Sequence, residues 1–376
     1  MTALIFFFWT LLTRIDLTTQ YGTKETNMNS HSRSCNSIQN AQMATSSQSS
    51  TLATELGLKL THNILRVRNS NELIKFYENN FGMENTKIST TSSPHSVSVL
   101  GYTTNYDENF NKASSAVPPP TLLELHHSDS LPAMAPVNSG SSKIYWKIGI
   151  TLYDVDYAQK ILQSKRISVS GASQFEDIGY LCHLSDPNGY GIEMLQHDFE
   201  DTFRSKINKT GRQPPNNTFP LGYPCCIGQI TLHSNDIKKT QGFYQDLLGM
   251  KLLSIQEVSQ YGFTLYFFAW TNENPPKSDV RDASVNREWL WKRPYTTLEI
   301  RHFHSQGRIP PYRDLQENEI GFEGLRITCN DLNAFITKMQ ERNIRFKESN
   351  GAFGREIVLR DPDNIPIYVS QDKCGQ

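Results

Sequence analysis

His62-Asn-Ile-Leu-Arg66 followed by Phe76-Tyr77 and Phe81-Gly82-Met83, and Gln229-Ile-Thr-Leu-His233 followed by Phe243-Tyr244 and Leu248-Gly249-Met250, are two versions of one text. The spacing inside the two copies is identical. Each copy runs on to a Leu-Glu segment, Leu123-Glu124-Leu125 and Leu298-Glu299-Ile300, and closes on a turn, Asp186-Pro-Asn-Gly189 and Asp361-Pro-Asp-Asn364. A duplicated domain explains four landmarks kept in order, where separate coincidences do not.

Inside each repeat the pattern is strand, helix and several strands, then a second round of the same. Asn63 to Val67 reads as a strand, and Asn69-Ser-Asn opens a helix whose apolar residues recur at helical spacing until Gly82 ends it. Ile148 to Leu152 is the next strand, and Asp154 can cap a helix from Val155 to Leu162. Gly191 to Leu195 follows the Asp-Pro turn as the last strand. The second repeat places the matching pieces at 229–232, 237–248, 324–329, 332–342 and 366–370. Polar Asp201 to Gly222, with two adjacent prolines, reads as a linker. The expected organisation is a tail over 1–54, a first domain over 56–199, a linker over 200–222 and a second domain over 223–372.

The tail is rich in Ser, Thr, Asn and Gln, a composition that does not build a core. Its apolar stretch from Ala3 to Leu12 is too short to span a bilayer as a helix, and no Lys or Arg precedes it as in a secretion signal. A mitochondrial presequence and a true start at Met43 are alternatives, and a cytoplasmic location is expected. A net charge of −1 gives no electrostatic reason for nucleic-acid or membrane partners. The six cysteines lack CxxC spacing, which suits a reduced compartment and a packing role for Cys225-Cys226.

With these landmarks in place, the chain resembles the vicinal oxygen chelate (VOC) superfamily, and within it tandem-domain glyoxalase I, lactoylglutathione lyase. The resemblance spans roughly residues 56 to 372. It implies an α+β fold of two tandem domains, each of paired βαβββ modules forming an open, cup-shaped mixed sheet around a divalent metal, zinc or nickel. It also implies isomerisation of the hemithioacetal of methylglyoxal and glutathione to a 2-hydroxyacyl thioester. That chemistry needs a carboxylate base beside the substrate carbon and a cation to hold the enediolate charge.

Carried over residue by residue, the resemblance assigns Gln229 and Glu299 with Lys147 and Glu193 to one site, and His62 and Glu124 with Gly324 and Tyr368 to the other. The implied metal ligands are Gln229, Glu299, Glu193, His62 and Glu124, and Glu193 and Glu299 are the implied catalytic carboxylates. Arg66 stands where the family grips a glutathione carboxylate. Lys147 occupies a ligand position where an ammonium has no lone pair to give, so a substrate contact or an ion-pair cluster with Glu193 and Glu299 is expected of it. Gly324 and Tyr368 are departures of the same kind. Adjacent His126-His127 and the pair His302 and His304 read as polar surface, and Phe76, Tyr77, Phe243 and Tyr244 as core.

Three function classes follow. One is a glyoxalase I-like lyase acting on a small molecule, monomeric because its domains pair within one chain. The second is a non-catalytic member, a pseudoenzyme or small-molecule binder that has kept the cup and lost the metal. The third, a dioxygenase on the same fold, needs two His and one carboxylate, and Lys147 stands at the second His position.

Overall fold

The strongest organising feature of the fold is that neither sheet follows one half of the sequence. The computed structural model describes residues 53, 55–88, 96–102, 121–127, 144–281, 283–305 and 309–372, all within one compact unit spanning Ser49–Gln376. The expected tail therefore lies almost wholly outside the described residues, as do Cys35 and Cys374.

The chain forms four strand-helix modules. The first is β1 (Lys59–Val67), α1 (Ser70–Phe81), β2 (Glu84–Ile88), β3 (Ser96–Gly101) and β4 (Leu122–His127). The second is β5 (Tyr145–Leu152), α2 (Val155–Ser164), β6 (Ser173–Phe175), β7 (Gly179–Ser185) and β8 (Gly191–Gln196), followed by α3 (Glu200–Thr210). The third has β9 (Cys225–Ser234), a short α4 (Ile237–Gln241) that runs into a π-helical turn over Gly242–Leu247, then β10 (Lys251–Val258), β11 (Phe263–Ala269), α5 (Ala283–Leu290) and β12 (Thr297–Phe303). The fourth has β13 (Gly321–Cys329), α6 (Leu332–Glu341), β14 (Lys347–Gly351), β15 (Gly354–Arg360) and β16 (Pro366–Gln371).

The first and fourth modules join into one eight-stranded mixed sheet, and the second and third into another. The central seam of each is antiparallel, β1 on β13 and β5 on β9. We call the first-and-fourth sheet the first cup and the second-and-third sheet the second cup. Helices α1, α2 and α6 lay their apolar faces on a shared core through residues such as Leu73, Tyr77, Val155, Leu162, Phe335 and Met339. Tyr145 and Phe322, at matching positions of the two seams, stack there with centroids 4.8 Å apart.

Local chemistry explains the helix ends. Asn69 adopts φ 46° and its side chain accepts from the Glu72 N–H, Asp154 accepts from Tyr157, Asp236 from Lys239 and Asp331 from Ala334. Gly82 and Gly249, both at φ 72°, turn the chain out of their helices where a Cβ is penalised. The segment expected as a linker contains an eleven-residue helix, α3. Only Phe203 on it is buried, against Tyr153 and Tyr223, so it has no apolar stripe for a sequence to display.

The two repeats also share a clamp. Tyr77 Oη donates to Asp186 Oδ2 at 3.0 Å, and Tyr244 Oη donates to Asp361 Oδ2 at 3.0 Å. Each aspartate also accepts two backbone N–H groups of its own turn, from Asn188 and Tyr190 and from Asp363 and Ile365. The turn's third residue reaches back as well: Asn188 accepts from the Arg68 N–H and Asp363 from the Asn235 N–H. Because the tyrosine belongs to one cup and the turn to the other, the clamps tie the cups together. Tyr77→Phe and Tyr244→Phe should each lower unfolding free energy by about 1–3 kcal/mol, the cost of stripping one partner from a buried polar group, as read from urea denaturation.

Candidate functional site

The centre of each cup holds carboxylates on inward-facing strand positions, and the two cups neutralise them differently. In the first cup, Arg326 on β13 grips Glu124 on β4 with two bonds of 2.8 and 3.0 Å and reaches Glu356 on β15 at 2.5 Å. His126, two residues after Glu124 and so on the same face, lies 2.8 Å from Glu124 and 2.6 Å from Glu323. Arg66 Nε donates to Glu323 at 2.8 Å and its Nη1 to the Gln316 carbonyl at 2.6 Å.

Three cations thus meet three carboxylates. Burial alone would raise the Glu124 pKa, but Arg326 and His126 hold it far below the usual carboxylate range. Burial would lower His126, yet Glu323 and Glu124 lift it to about 10, so it carries a charge at neutral pH. His62 is drawn down to about 4 by burial, with Glu124 opposing, and its neutral ring packs on Phe353 at 4.9 Å. The expected polar-surface role of His126 is thereby corrected: its ring is an internal ionic bridge. Arg66 is committed to Glu323.

The second cup gathers Lys147, Glu193, Gln229 and Glu299, the four residues assigned together from the sequence. The Lys147 ammonium donates to Glu193 Oε2, Gln229 Nε2 donates to Glu193 Oε1 at 2.8 Å, and the His183 ring nitrogen lies 3.0 Å from Glu193 Oε2. Burial pushes Glu193 up, but Lys147 and His183 outweigh it and hold the carboxyl at about 2. Glu299, 2% exposed, makes no ion pair among the described residues. Burial drives its pKa to about 7 against the Lys147 charge, with the Glu193 charge adding to the rise.

Strand register shows which positions correspond. Ile64 faces Gly324 and Glu124 across the first cup as Thr231 faces Lys147 and Glu299 across the second. Gly324 therefore matches Lys147, His126 matches Arg301, Arg66 matches His233, and Arg326 matches Gly149. Both seams carry a bulge at the same place, between Tyr145 and Lys147 in one and opposite Ile64/Leu65 in the other. The bulged residues are Trp146 and Glu323, an aromatic in one cup and an anion in the other.

Two glycines exclude the alternative fillings. Gly324 has φ 140°, and a Cβ there would collide with the Pro366 carbonyl oxygen, so no ligating side chain can stand at that position. At Gly149 a Cβ would strike Gln229, so the glutamine keeps its place only because the matching arginine of the first cup is absent.

The expected zinc or nickel does not fit either donor set. Among the described residues no group of three or more His, Cys, Asp or Glu side chains is arranged to hold a metal ion. In the first cup the Arg326 guanidinium occupies Glu124, the one carboxylate among the assigned ligands, and bridges it to Glu356. In the second the Lys147 ammonium has no lone pair to offer and repels a divalent ion. Arg326, Glu323, His126 and Glu356 escaped the sequence reading, although a lone arginine among the apolar residues of Gly324-Leu-Arg-Ile-Thr was a visible signal. Trp146, His183 and Arg301 were also missed, and the bulge that turns Trp146 toward Lys147 left no mark on the sequence.

A pH dependence follows from Glu299. Its folded pKa lies above the ordinary 4.5, so the folded state holds the proton more tightly than the unfolded chain. The associated stability is complete below about 4.5 and is lost as pH rises through about 7. Relative to Glu299→Gln, the wild-type protein should lose about 3 kcal/mol of unfolding free energy across that interval, measured by denaturant titration at several pH values.

Comparisons with known proteins agree with this architecture. Residues 226–369 match the family model described as Glyoxalase/Bleomycin resistance protein/Dioxygenase superfamily. Glyoxalase I of Saccharomyces cerevisiae is 23% identical over 330 residues, covering 83% of this chain and 92% of its own. Lactoylglutathione lyase of Schizosaccharomyces pombe is 21% identical over 327 residues, 84% of this chain and 97% of its own. The crystal structure of glyoxalase I from Zea mays superposes with a TM-score of 0.56 at 17% identity, covering 85% of this chain and 94% of that one. No helix among the described residues is long and apolar enough to cross a membrane. Residues 226–369 thus match the model of that superfamily, and in its repeated modules and their pairing into two mixed sheets the whole chain is similar in fold to glyoxalase I.

Proposed function

We propose that the second cup is the functional site, a glyoxalase-like centre for proton transfer on a small 2-oxoaldehyde adduct, and that it works with the Lys147 ammonium in the place where its relatives would hold a metal. The observation that carries this reading is the different setting of two buried carboxylates: Glu193 is bound by Lys147, Gln229 and His183, which hold it ionised, while Glu299 makes no ion pair among the described residues and is pushed up by burial. Neighbouring carboxyls pushed apart in this way divide into an ionised anchor and a proton carrier.

In the reaction so read, Glu299 takes the C1 proton of a hemithioacetal, the C1 electron pair forms the enediolate, and the charge arising on the C2 oxygen faces Lys147. Glu299 returns the proton to C2 while the C1 hydroxyl proton passes to the C2 oxygen, leaving a 2-hydroxyacyl thioester. Glu193, fixed by Lys147, Gln229 and His183, positions the ammonium. The first cup is structural in this reading, because its three cations and three carboxylates satisfy one another. Glutathione is the thiol to test, although Arg66, the residue that the family resemblance would use to grip it, is bound to Glu323 in the other cup. Pairing of all sixteen described strands within one chain supports a monomer, which light scattering would check.

The second reading, a binding module without turnover, is favoured by the low exposure of Lys147 and Glu193, 4% and 3%. The two are separated by following thioester formation from methylglyoxal and glutathione with chelator-treated full-length protein. Turnover should persist without metal and fall about a hundredfold or more in Glu299→Gln. A folded protein that turns over nothing, with or without added zinc or nickel, ends the isomerase reading and leaves the binding module. Lys147→His should assemble a Gln-Glu-His-Glu donor set and take up stoichiometric zinc by metal analysis, where the wild-type protein takes up none.

A further inference from the structure

Arg301 is a charged residue of the second cup that the proposed reaction leaves unused. It is 8% exposed, and among the described residues its guanidinium makes neither a hydrogen bond nor an ion pair, with Nε wholly buried and unmatched. Three rings surround it, the guanidinium carbon lying 3.7 Å from the Trp146 ring centroid, 4.5 Å from Phe303 and 5.4 Å from Phe263, and the Glu299 carboxyl two residues earlier acts on its charge without bonding to it. Ring faces attract a cation, but they give no acceptors to five N–H donors. A buried unpaired charge costs several kcal/mol, so a group in this position calls for an anion.

The first cup contains the answer to what that anion is. At the position matching Arg301 stands His126, and it is served by two carboxylates, Glu124 at 2.8 Å, whose counterpart is Glu299, and Glu323 at 2.6 Å. Glu323 is the bulged residue of β13, and its counterpart on the bulge of β5 is Trp146. The same backbone device therefore delivers a carboxylate in one cup and an indole in the other. Where the first cup is filled from within, the second lacks the one anion that its symmetry mate supplies. His233, matching Arg66, completes the surroundings, its ring 5.8 Å from both Trp146 and Phe303.

We infer that Arg301 is the anchor for a carboxylate-bearing small molecule, whose carboxylate serves Arg301 as Glu323 serves His126 in the first cup, with Trp146 as the surface beside it. The guanidinium fork matches a planar carboxylate in two parallel bonds, which is the reason to expect a carboxylate over a spherical anion. The site rests on the reading of the second cup as the small-molecule site, and it deepens that reading by naming an acid among the cup's ligands.

The test uses the full-length protein with pyruvate and D-lactate as probes, read by calorimetric titration and by shift of the thermal midpoint at constant ionic strength. Saturable binding of at least one probe is expected, weakened tenfold or more in Arg301→Met. That variant, freed of an unpaired charge, should also unfold at a higher temperature than the ligand-free wild type. Trp146→Glu copies the first cup's solution and should abolish binding of the probe while keeping Arg301, which serves if Arg301→Met does not fold. Absence of saturable binding of both probes to the wild-type protein, or unchanged binding in either variant, overturns the proposal. Glu299→Gln separates it from the reaction: binding retained without turnover leaves the anion site standing whatever becomes of the isomerase reading.

Discussion

Carboxylates buried at the centre of an eight-stranded sheet have to be neutralised, and this single electrostatic demand shapes both cups. Water cannot reach Glu124, Glu193 or Glu299 in quantity, since each is at most 3% exposed. An ionised carboxylate in such a place is held by a cation, by hydrogen bonds, or by a proton. The protein uses all three. Arg326 and His126 serve Glu124, Lys147 and Gln229 serve Glu193, and Glu299 answers by holding its proton up to about neutral pH.

The two cups began as the same text and reach neutrality through different registers. In the first, the cation enters from the seam strand at 326; in the second it enters at 147, two places along the matching strand. Gly324 and Gly149 record the choice, each being the vacant counterpart of the other cup's cation. In the proposed reading, a built-in cation stands in for a Lewis acid as a source of positive charge. A positive charge fixed by the fold favours an anion developing beside it. A self-neutralised network such as the first cup's gives a ligand little to gain, whereas the unmet charge of the second gives it a great deal.

Much of this was legible in the residues. The repeat, its strand and helix order, and the assembly of Lys147, Glu193, Gln229 and Glu299 from opposite halves all follow from spacing and from the family pattern. Arg326 was harder to see, because its importance comes from facing Glu124 across two strands far apart in sequence. Trp146 and Glu323 were harder still: alternation assigns them to the opposite face, and only a bulge, which leaves no compositional trace, turns them inward. The tyrosine clamps were hidden for another reason. Tyr77 and Tyr244 do pack in the core as expected, and a buried phenol announces its ring in a sequence pattern while saying nothing of where its hydroxyl goes.

The exchange of modules between the sheets sets an order of assembly. Every strand of the second cup lies between Tyr145 and Phe303, so that cup is complete in the emerging chain before residue 321 has been made. The first cup cannot close its seam until β13 arrives to meet β1, at a separation of some 260 residues, as in the pairing of Asn63 with Leu325. Until then the β13-facing edge of β1 is unpaired, an invitation to mispairing of the kind that long-range sheets carry during synthesis. The already folded second cup shortens that search, because Asn188 on its turn holds the Arg68 backbone and Tyr77 holds Asp186, so β1 waits in place for its partner. The duplicated gene thus yields a protein in which the middle of the chain is the template on which its two ends are joined.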